Sequence, residues 1–404
     1  MAEPDEKSFD RRYSPLQKGL KALEHGLKGC ALALLTRMAA PRTKGGLDWS
    51  GRKLRVLFLR HDRIGDMILT TGVIRAIAKS HANIELDVLA SPANAAVLEK
   101  DPLIHRVVRI EVRRPAHYWG LLKHLRQTRY DIVVDCMVFS QSLTTMLLML
   151  ATRAPHRVGV VKPGKPNVYT MFAPLAGADA HHVEHLAQLA VPFGVPPQDA
   201  QQLEIVLTEA ERAEALAQWN AGSRQRVLMN ISVGKAFRQW PDENFIAVAR
   251  HLRLRLPDAQ ILLLHGPAER ERAETIAEAG KVTRARTPGV RQALAMVATA
   301  DFVFTPDTSI LHAASAFRIP TVTLLTRDHV VRWGLFRTVG EMVASQGNTL
   351  DTVPLEKALE AIDRMLPVLS SGRHHGENHG SPSPTPEASA ALPQQQVPAR
   401  ARQR

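Results

Sequence analysis

Short apolar runs of strand length alternate with amphipathic stretches of helical length from residue 54 to residue 325. That alternation commits the chain to parallel sheets wrapped by helices. The strand candidates fall into two groups: 54–59, 84–90, 106–110 and 131–135, then 226–231, 260–265, 301–305 and 321–325. Helical periodicity lies between them, for example at 67–79, 243–256 and 309–317. The stretch 195–225 carries Pro196 and Pro197, continues as a polar helix, and separates the two groups. Two doubly wound α/β domains fit this spacing better than one large sheet, and 404 residues suffice for two such cores. The expected boundaries are 51–208 for the first domain and 209–369 for the second.

The two ends differ from this body. In residues 1–50, Leu16, Leu20, Leu23, Leu27, Ala31, Leu34 and Met38 recur at helical spacing, with Lys18, Lys21, Lys28 and Arg37 off that face. Two readings fit: a helix packed on the body, or an interfacial helix lying against anionic lipid. Gly26 and Gly29 weaken the helix in either case, each by about 1 kcal/mol relative to Ala. Residues 370–404 contain Pro382, Pro384, Pro386, Pro393 and Pro398, a Gln run and no aromatic residue. Too little apolar surface is available there to offset ordering, so a disordered tail is expected. His374, His375 and His379 lie inside it and read as solvated rather than metal-bound.

Charge narrows the partners. Lys plus Arg is 52 against 39 Asp plus Glu, a net +13 that favours nucleic acid, an acidic membrane face or a phosphorylated substrate. Aromatic residues make up only 5% and no Lys/Arg stripe is interleaved with Phe or Tyr, which argues against a nucleic-acid binder. Two cysteines, Cys30 and Cys136, cannot build a disulfide framework and fit a reducing compartment. The longest apolar run near the N-terminus, 30–35, is far short of the roughly 20 residues a bilayer requires. No secretory signal pattern is visible. A secreted, collagen-like or polytopic membrane protein is therefore not expected.

In open α/β sheets ligands bind beyond the carboxyl ends of the strands, which directs attention to three strand-to-helix turns. The first is His61-Asp62-Arg63-Ile64-Gly65-Asp66. Gly65 permits a tight turn, and Asp66 is expected at the start of a helix beginning at Met67. An Asp there is a helix cap worth about 1 kcal/mol, or a carboxylate able to take a proton from a hydroxyl. Asp62 can fill the second role instead, or simply order the turn. The second turn runs from Phe304 to His312 and contains Asp307, Thr308 and Ser309. Its free helix N–H groups suit a phosphate, and Thr308, Ser309 and His312 share one helix face. A cap by Asp307 or Thr308 is compatible with that role. The third turn runs from Asn230 to Pro241 and includes Ser232, Lys235, Arg238 and Trp240. Lys235 or Arg238 can neutralise a leaving diphosphate; the plainer reading is a solvated loop anchored by Trp240. Glu269 and Glu271, after the strand at 260–265, can bond ribose hydroxyls or simply complement a helix dipole. No G-x-G-x-x-G follows a strand, no P-loop is present, no Cys/His cluster has zinc spacing, and no D-x-D pair occurs. Neither a cofactor nor a metal is expected.

Taken together, these turns resemble glycosyltransferase family 9, the ADP-heptose:lipopolysaccharide heptosyltransferases. The stretch from Arg55 to Thr71 resembles the family's opening motif, whose Gly-Asp carries the proposed base. Asp307-Thr308-Ser309-Ile310-Leu311-His312 resembles its D-T-G-x-x-H, Arg238-Gln239-Trp240-Pro241 its K-x-W-P, and Arg332-Trp333-Gly334 a late Trp-Gly element. Two positions depart: Ser309 replaces Gly, and Arg238 replaces Lys with a planar fork. The resemblance implies a GT-B architecture, two Rossmann-like domains facing a central cleft, with the acceptor on the N-terminal side and the donor on the C-terminal side. It implies an inverting, metal-independent transfer from ADP-heptose to a phosphorylated lipopolysaccharide core. Asp66 would act as base, with Arg238, Lys235 and the turn at Thr308 and Ser309 stabilising the leaving diphosphate. The implied location is cytoplasmic, with peripheral contact at the anionic inner membrane.

Overall fold

The computed structural model describes residues 52–111, 115–140, 142–162, 167–235 and 238–371. The amphipathic segment 1–50, and the tail with His374, His375 and His379, lie outside the described residues. One sheet contains β1 (Leu54–Arg60), β2 (Ile84–Ala90), β3 (Arg106–Arg109), β4 (Ile132–Asp135), β5 (His156–Val160) and β6 (Met171–Ala173). The other contains β7 (Gln225–Asn230), β8 (Ala259–Leu264), β9 (Thr283–Arg284), β10 (Phe302–Pro306), β11 (Thr321–Leu325) and β12 (Gly340–Ala344). The helices are α1 (Ile64–Ser80), α2 (Pro115–Thr128), α3 (Leu143–Thr152), α4 (His182–Ala187), α5 (Glu209–Leu216), α6 (Asp242–Arg255), α7 (Arg270–Gly280), α8 (Val290–Ala298), α9 (Ser309–Phe317), α10 (Val330–Trp333) and α11 (Leu355–Ser371).

The strand orders are β3-β2-β1-β4-β5-β6 and β12-β11-β10-β7-β8-β9, with every pairing parallel. Counted from its own first strand, each sheet has the same order. Each therefore reverses direction beside that strand, between β1 and β4 and between β7 and β10, the position at which open α/β sheets bind their ligands.

Parallel sheets need cover on both faces. In β1, Val56 and Phe58 pack with Met67 and Ile68 of α1, whereas Leu57 and Leu59 pack under Leu121 of α2 and Met146 of α3. In β7, Val227 and Met229 meet Phe245 of α6, Ile276 of α7 and Ile362 of α11. Leu228 faces the other way, towards Leu294 of α8 and Ile310 of α9, in an apolar layer that also contains Val56 and Met67. That layer joins the two domains, with α1 packed against α9.

Three capping details shape the site. α1 starts at Ile64, earlier than the sequence suggests, with Arg63 as its N-cap residue and no side-chain cap bond. α9 starts where expected, with the Thr308 hydroxyl accepting from the Ile310 N–H at 3.3 Å. α6 follows Pro241, carries Asp242 and Glu243 in its first turn and Arg253 and Arg255 in its last, and so complements its dipole.

Candidate active site

Arg60 ends β1 at the first switch point and is only 2% exposed. A buried guanidinium must find partners. It donates to the carbonyls of Cys136, at 2.9 Å, and Asp66, at 3.1 Å. Its Nη2 lies 3.3 Å from Asp66 Oδ1, and its Nε lies 3.4 Å from Asp62 Oδ1. Asp66 is therefore not the helix cap: it sits inside the first turn of α1 with its carboxylate turned back towards Arg60. Burial pushes the Asp62 carboxyl above its usual range against the pull of Arg60, and the Asp66 charge pushes the same way. Two carboxylates thus share one buried cation.

The second domain arranges the opposite charge. Asn230, fully buried at the end of β7, donates to Thr305 Oγ1 at 2.9 Å and Thr308 Oγ1 at 3.1 Å. Its carbonyl oxygen accepts from the Ser232 N–H at 3.0 Å and hydroxyl at 2.7 Å. One amide thereby locks the β7 loop to the turn that opens α9. Asp307 is 2% exposed; its Oδ2 accepts from His329 Nδ1 at 2.6 Å and lies 3.4 Å from Arg238 Nη2. Its main-chain carbonyl takes a further bond from Arg238 Nη1 at 3.1 Å. Burial alone would raise this carboxyl, but the His329 bond and the Arg238 charge outweigh it and hold it below the usual range. Burial, with the charges of Arg63 and Arg238 beside it, pushes the Lys235 ammonium down. Arg63, Lys235 and Arg238, one from the first domain and two from the second, therefore form a group of cations. Glu269 Oε1 accepts from the Val233 N–H at 3.3 Å, which sets it at the wall of the same loop. Trp240 has the plainer role: fully buried, it donates to the Val353 carbonyl at 3.0 Å and packs on Phe245 and Phe304.

The two halves meet at Gly65. A Cβ there would lie 2.7 Å from His312 Cδ2 and 3.5 Å from Ser309 Cα, so the first turns of α1 and α9 abut. His312 is buried with Nδ1 unpartnered, and burial lowers its pKa to about 4. Nearby, Trp333 lies 4.2 Å from the His182 ring and Arg332 sits 4.4 Å over Phe139. His181 stacks on Phe336 at 4.7 Å and reaches the Gly334 carbonyl at 3.2 Å. The late Arg332-Trp333-Gly334 element thus clasps the first domain. The predicted residues Ser232, Lys235, Arg238, Glu269, Asp307, Thr308, Ser309 and His312 all gather along the β7–β10 crevice, with Asp66 across from them. Arg60, Asn230 and His329 are additions that the sequence reading did not single out.

Two parallel domains of identical strand order, with ligand crevices facing each other, define the GT-B class of nucleotide-sugar enzymes. A family model described as glycosyltransferase family 9 (heptosyltransferase) matches residues 118–361. The chain belongs to glycosyltransferase family 9 and is a glycosyltransferase. Lipopolysaccharide heptosyltransferase 3 of Escherichia coli is 22% identical over 354 residues, covering 76% of this chain and 98% of that protein. Lipopolysaccharide heptosyltransferase 1 of Pseudomonas aeruginosa is 25% identical, covering 67% and 78% respectively. Among solved structures, a family 9 glycosyl transferase from Veillonella parvula superposes with a TM-score of 0.67 at 17% identity, covering 78% of this chain and 98% of that one. An E. coli heptosyltransferase solved with ADP gives 0.62 at 18% identity, covering 77% and 99%.

Proposed function

We propose that this glycosyltransferase moves heptose from ADP-heptose to the inner core of lipopolysaccharide, inverting the anomeric centre without a metal. The observation that carries the reading is the charge division across the crevice: Asp66 on one wall, Arg238 and Lys235 with the amides of α9 on the other. Residues 51–208 take the acceptor and residues 209–369 the donor. Asp66 accepts the proton of the acceptor hydroxyl while that oxygen attacks the anomeric carbon from the side opposite the leaving group. As the bond to the diphosphate breaks, its electron pair goes to the leaving oxygen. Arg238, Lys235 and the N–H groups at Thr308 and Ser309 stabilise that charge, the part a metal plays elsewhere. Among the described residues no three His, Cys, Asp or Glu side chains converge as metal ligands. Glu269 and Ser232 face the ribose side of the donor. The ADP in the E. coli structure supports an adenosine diphosphate donor. The acceptor's phosphates fit the +13 balance, and an acceptor of this kind puts the proposed reaction at the cytoplasmic face of the inner membrane.

Ser309 favours one further reading, a family 9 enzyme that uses a different sugar nucleotide or bacterial glycan acceptor, because its Cβ stands where the family usually has Gly. Product analysis with purified enzyme, truncated lipopolysaccharide and a panel of ADP- and UDP-sugars tests both. Transfer from ADP-heptose alone is the expected result. Transfer only from another donor would replace the first reading with the second, and no transfer to any lipopolysaccharide would overturn the acceptor assignment.

A further inference from the structure

Helix α2 buries Leu121 and Leu125 against the first sheet. Its opposite side is exposed and carries Trp119, which is 74% exposed, with exposed Lys123 and Arg126 further along. Spacings of four and three residues put these side chains on one stripe. Leu147, on the adjoining α3, is also exposed. Neither α2 nor α3 contains a carboxylate. Between β3 and β6, residues 110–170 hold nine Lys or Arg against three acids, Glu111, Asp131 and Asp135, a net +6 out of the chain's +13. Asp135 is buried and Asp131 pairs with Arg52 at 2.7 Å, so two of the three acids do little to offset Lys123 and Arg126. α2 begins just beyond the carboxyl end of β3. Its first turns, and Trp119 with them, therefore stand at the same sheet edge as the β1–α1 turn that holds Asp66.

We propose that the Trp119–Lys123–Arg126 stripe docks on an anionic phospholipid surface and holds the acceptor side of the crevice against it. An indole with an apolar body and one polar N–H is stable at the headgroup level, and cations beside it meet the anionic headgroups. A single exposed Trp with no second aromatic on the stripe gives no stacking platform for nucleic acid. The orientation towards a lipid-borne acceptor rests on the proposed function, whereas the docking itself does not.

The test uses the full-length protein and co-sedimentation with vesicles of phosphatidylglycerol in phosphatidylcholine, against phosphatidylcholine alone. Binding should require phosphatidylglycerol and fade as salt rises. The pair Lys123→Glu and Arg126→Glu should lower partitioning by about 25-fold or more, since each lost cation is worth about fivefold, or about 1 kcal/mol. Trp119→Ser should weaken binding and reduce fluorescence quenching by brominated lipid. All variants should keep wild-type melting temperature and wild-type turnover of a soluble acceptor analogue. Unchanged vesicle binding in the charge-reversed variant, or no binding by the wild type, overturns the proposal. So does a dimer in sedimentation that Trp119→Ser abolishes, because the stripe would then be a contact between two copies. Missing turnover with intact vesicle binding counts against the functional reading alone.

Discussion

Substituting Gly65 with Ala probes the closest approach of the two domains. The added Cβ would lie 2.7 Å from His312 Cδ2, whereas ordinary contact begins at 3.4 Å, so ring or helix must retreat by about 0.7 Å. His312 is only 6% exposed, on a helix whose neighbouring residues are also buried, so little room exists for the ring to turn. Overpacking on this scale costs about 1–3 kcal/mol of stability, which lowers the melting temperature by a few degrees. The effect on turnover should be larger. The displacement falls between Asp66, the next residue in α1, and the Thr308-Ser309 turn proposed to hold the diphosphate. A misplacement approaching an ångström between reacting groups costs about 100-fold. Gly65→Ala should therefore lower kcat by about 10- to 100-fold, read by ADP release under saturating donor and acceptor. The double variant Gly65→Ala with His312→Ala supplies the decisive comparison. With the ring gone the new methyl has space, so the double variant should be no worse than His312→Ala alone. Wild-type kcat in Gly65→Ala, or losses that simply add in the double variant, would refute the steric argument.

Asp66→Asn should cut turnover by about 100-fold or more with ADP affinity unchanged; near-normal turnover would leave Asp66 only a structural partner of Arg60. Arg238→Ala and Asp307→Ala should both weaken ADP binding in calorimetric titration, and equal weakening by Asp66→Asn would contradict the division of the crevice into acceptor and donor walls. Burial lowers the pKa of His181 and of His312 to about 4, so below about 6.5 the unfolded chain takes up protons that the folded chain refuses. Stability should decline from about pH 6.5 to about pH 4, by at most on the order of 3 kcal/mol per histidine, and His312→Gln should flatten part of that slope in melting curves. Glu211, held at about 2 chiefly by its hydrogen bond to Arg291, contributes in a lower window, with its stabilisation lost as pH falls from about 4.5 through 2.

The alternating pattern was legible wherever a strand is buried on both faces. β1, β7 and β10 read directly from continuous apolar runs, and β2 and β11 from apolar residues that persist between Glu85 and Asp87 and beside Thr321 and Thr323. β5, β6, β9 and β12 escaped: β6, β9 and β12 lie at sheet edges, where one side is open and the residues need not be apolar, whereas β5 is interior but short and opens on His156 and Arg157; the edge strand β3 was read through Val107 and Val108. β12 alternates exposed and partly covered positions around Gly340 and Glu341, and β9 is only two residues long. The start of α1 was misplaced for another reason: Gly65 and Asp66 read locally as a turn and a cap. In the fold Gly65 answers to the close approach of α9, and Asp66 answers to Arg60. His329 had no local signal at all, since it meets Asp307 only because β11 lies beside β10. Asn230 did carry one, a polar residue closing a buried apolar strand.

Each wall of the crevice has a buried charge of the sign opposite to the one it presents. On the first wall Arg60 is the buried charge, and Asp62 and Asp66 are the carboxylates it gathers. On the second wall Asp307 is the buried charge, and Arg238 and His329 are the groups it gathers. A carboxylate beside a diphosphate would repel it, so Asp307 makes better physical sense as the anchor that fixes Arg238 than as a direct phosphate ligand. The same logic makes Arg60 the anchor of the proposed base. A buried counter-charge fixes its partner at the cost of some of that partner's reach. The first wall thus presents carboxylates and the second presents cations, which is the division of charge that the proposed transfer, with a proton taken up on one side and a diphosphate leaving on the other, requires.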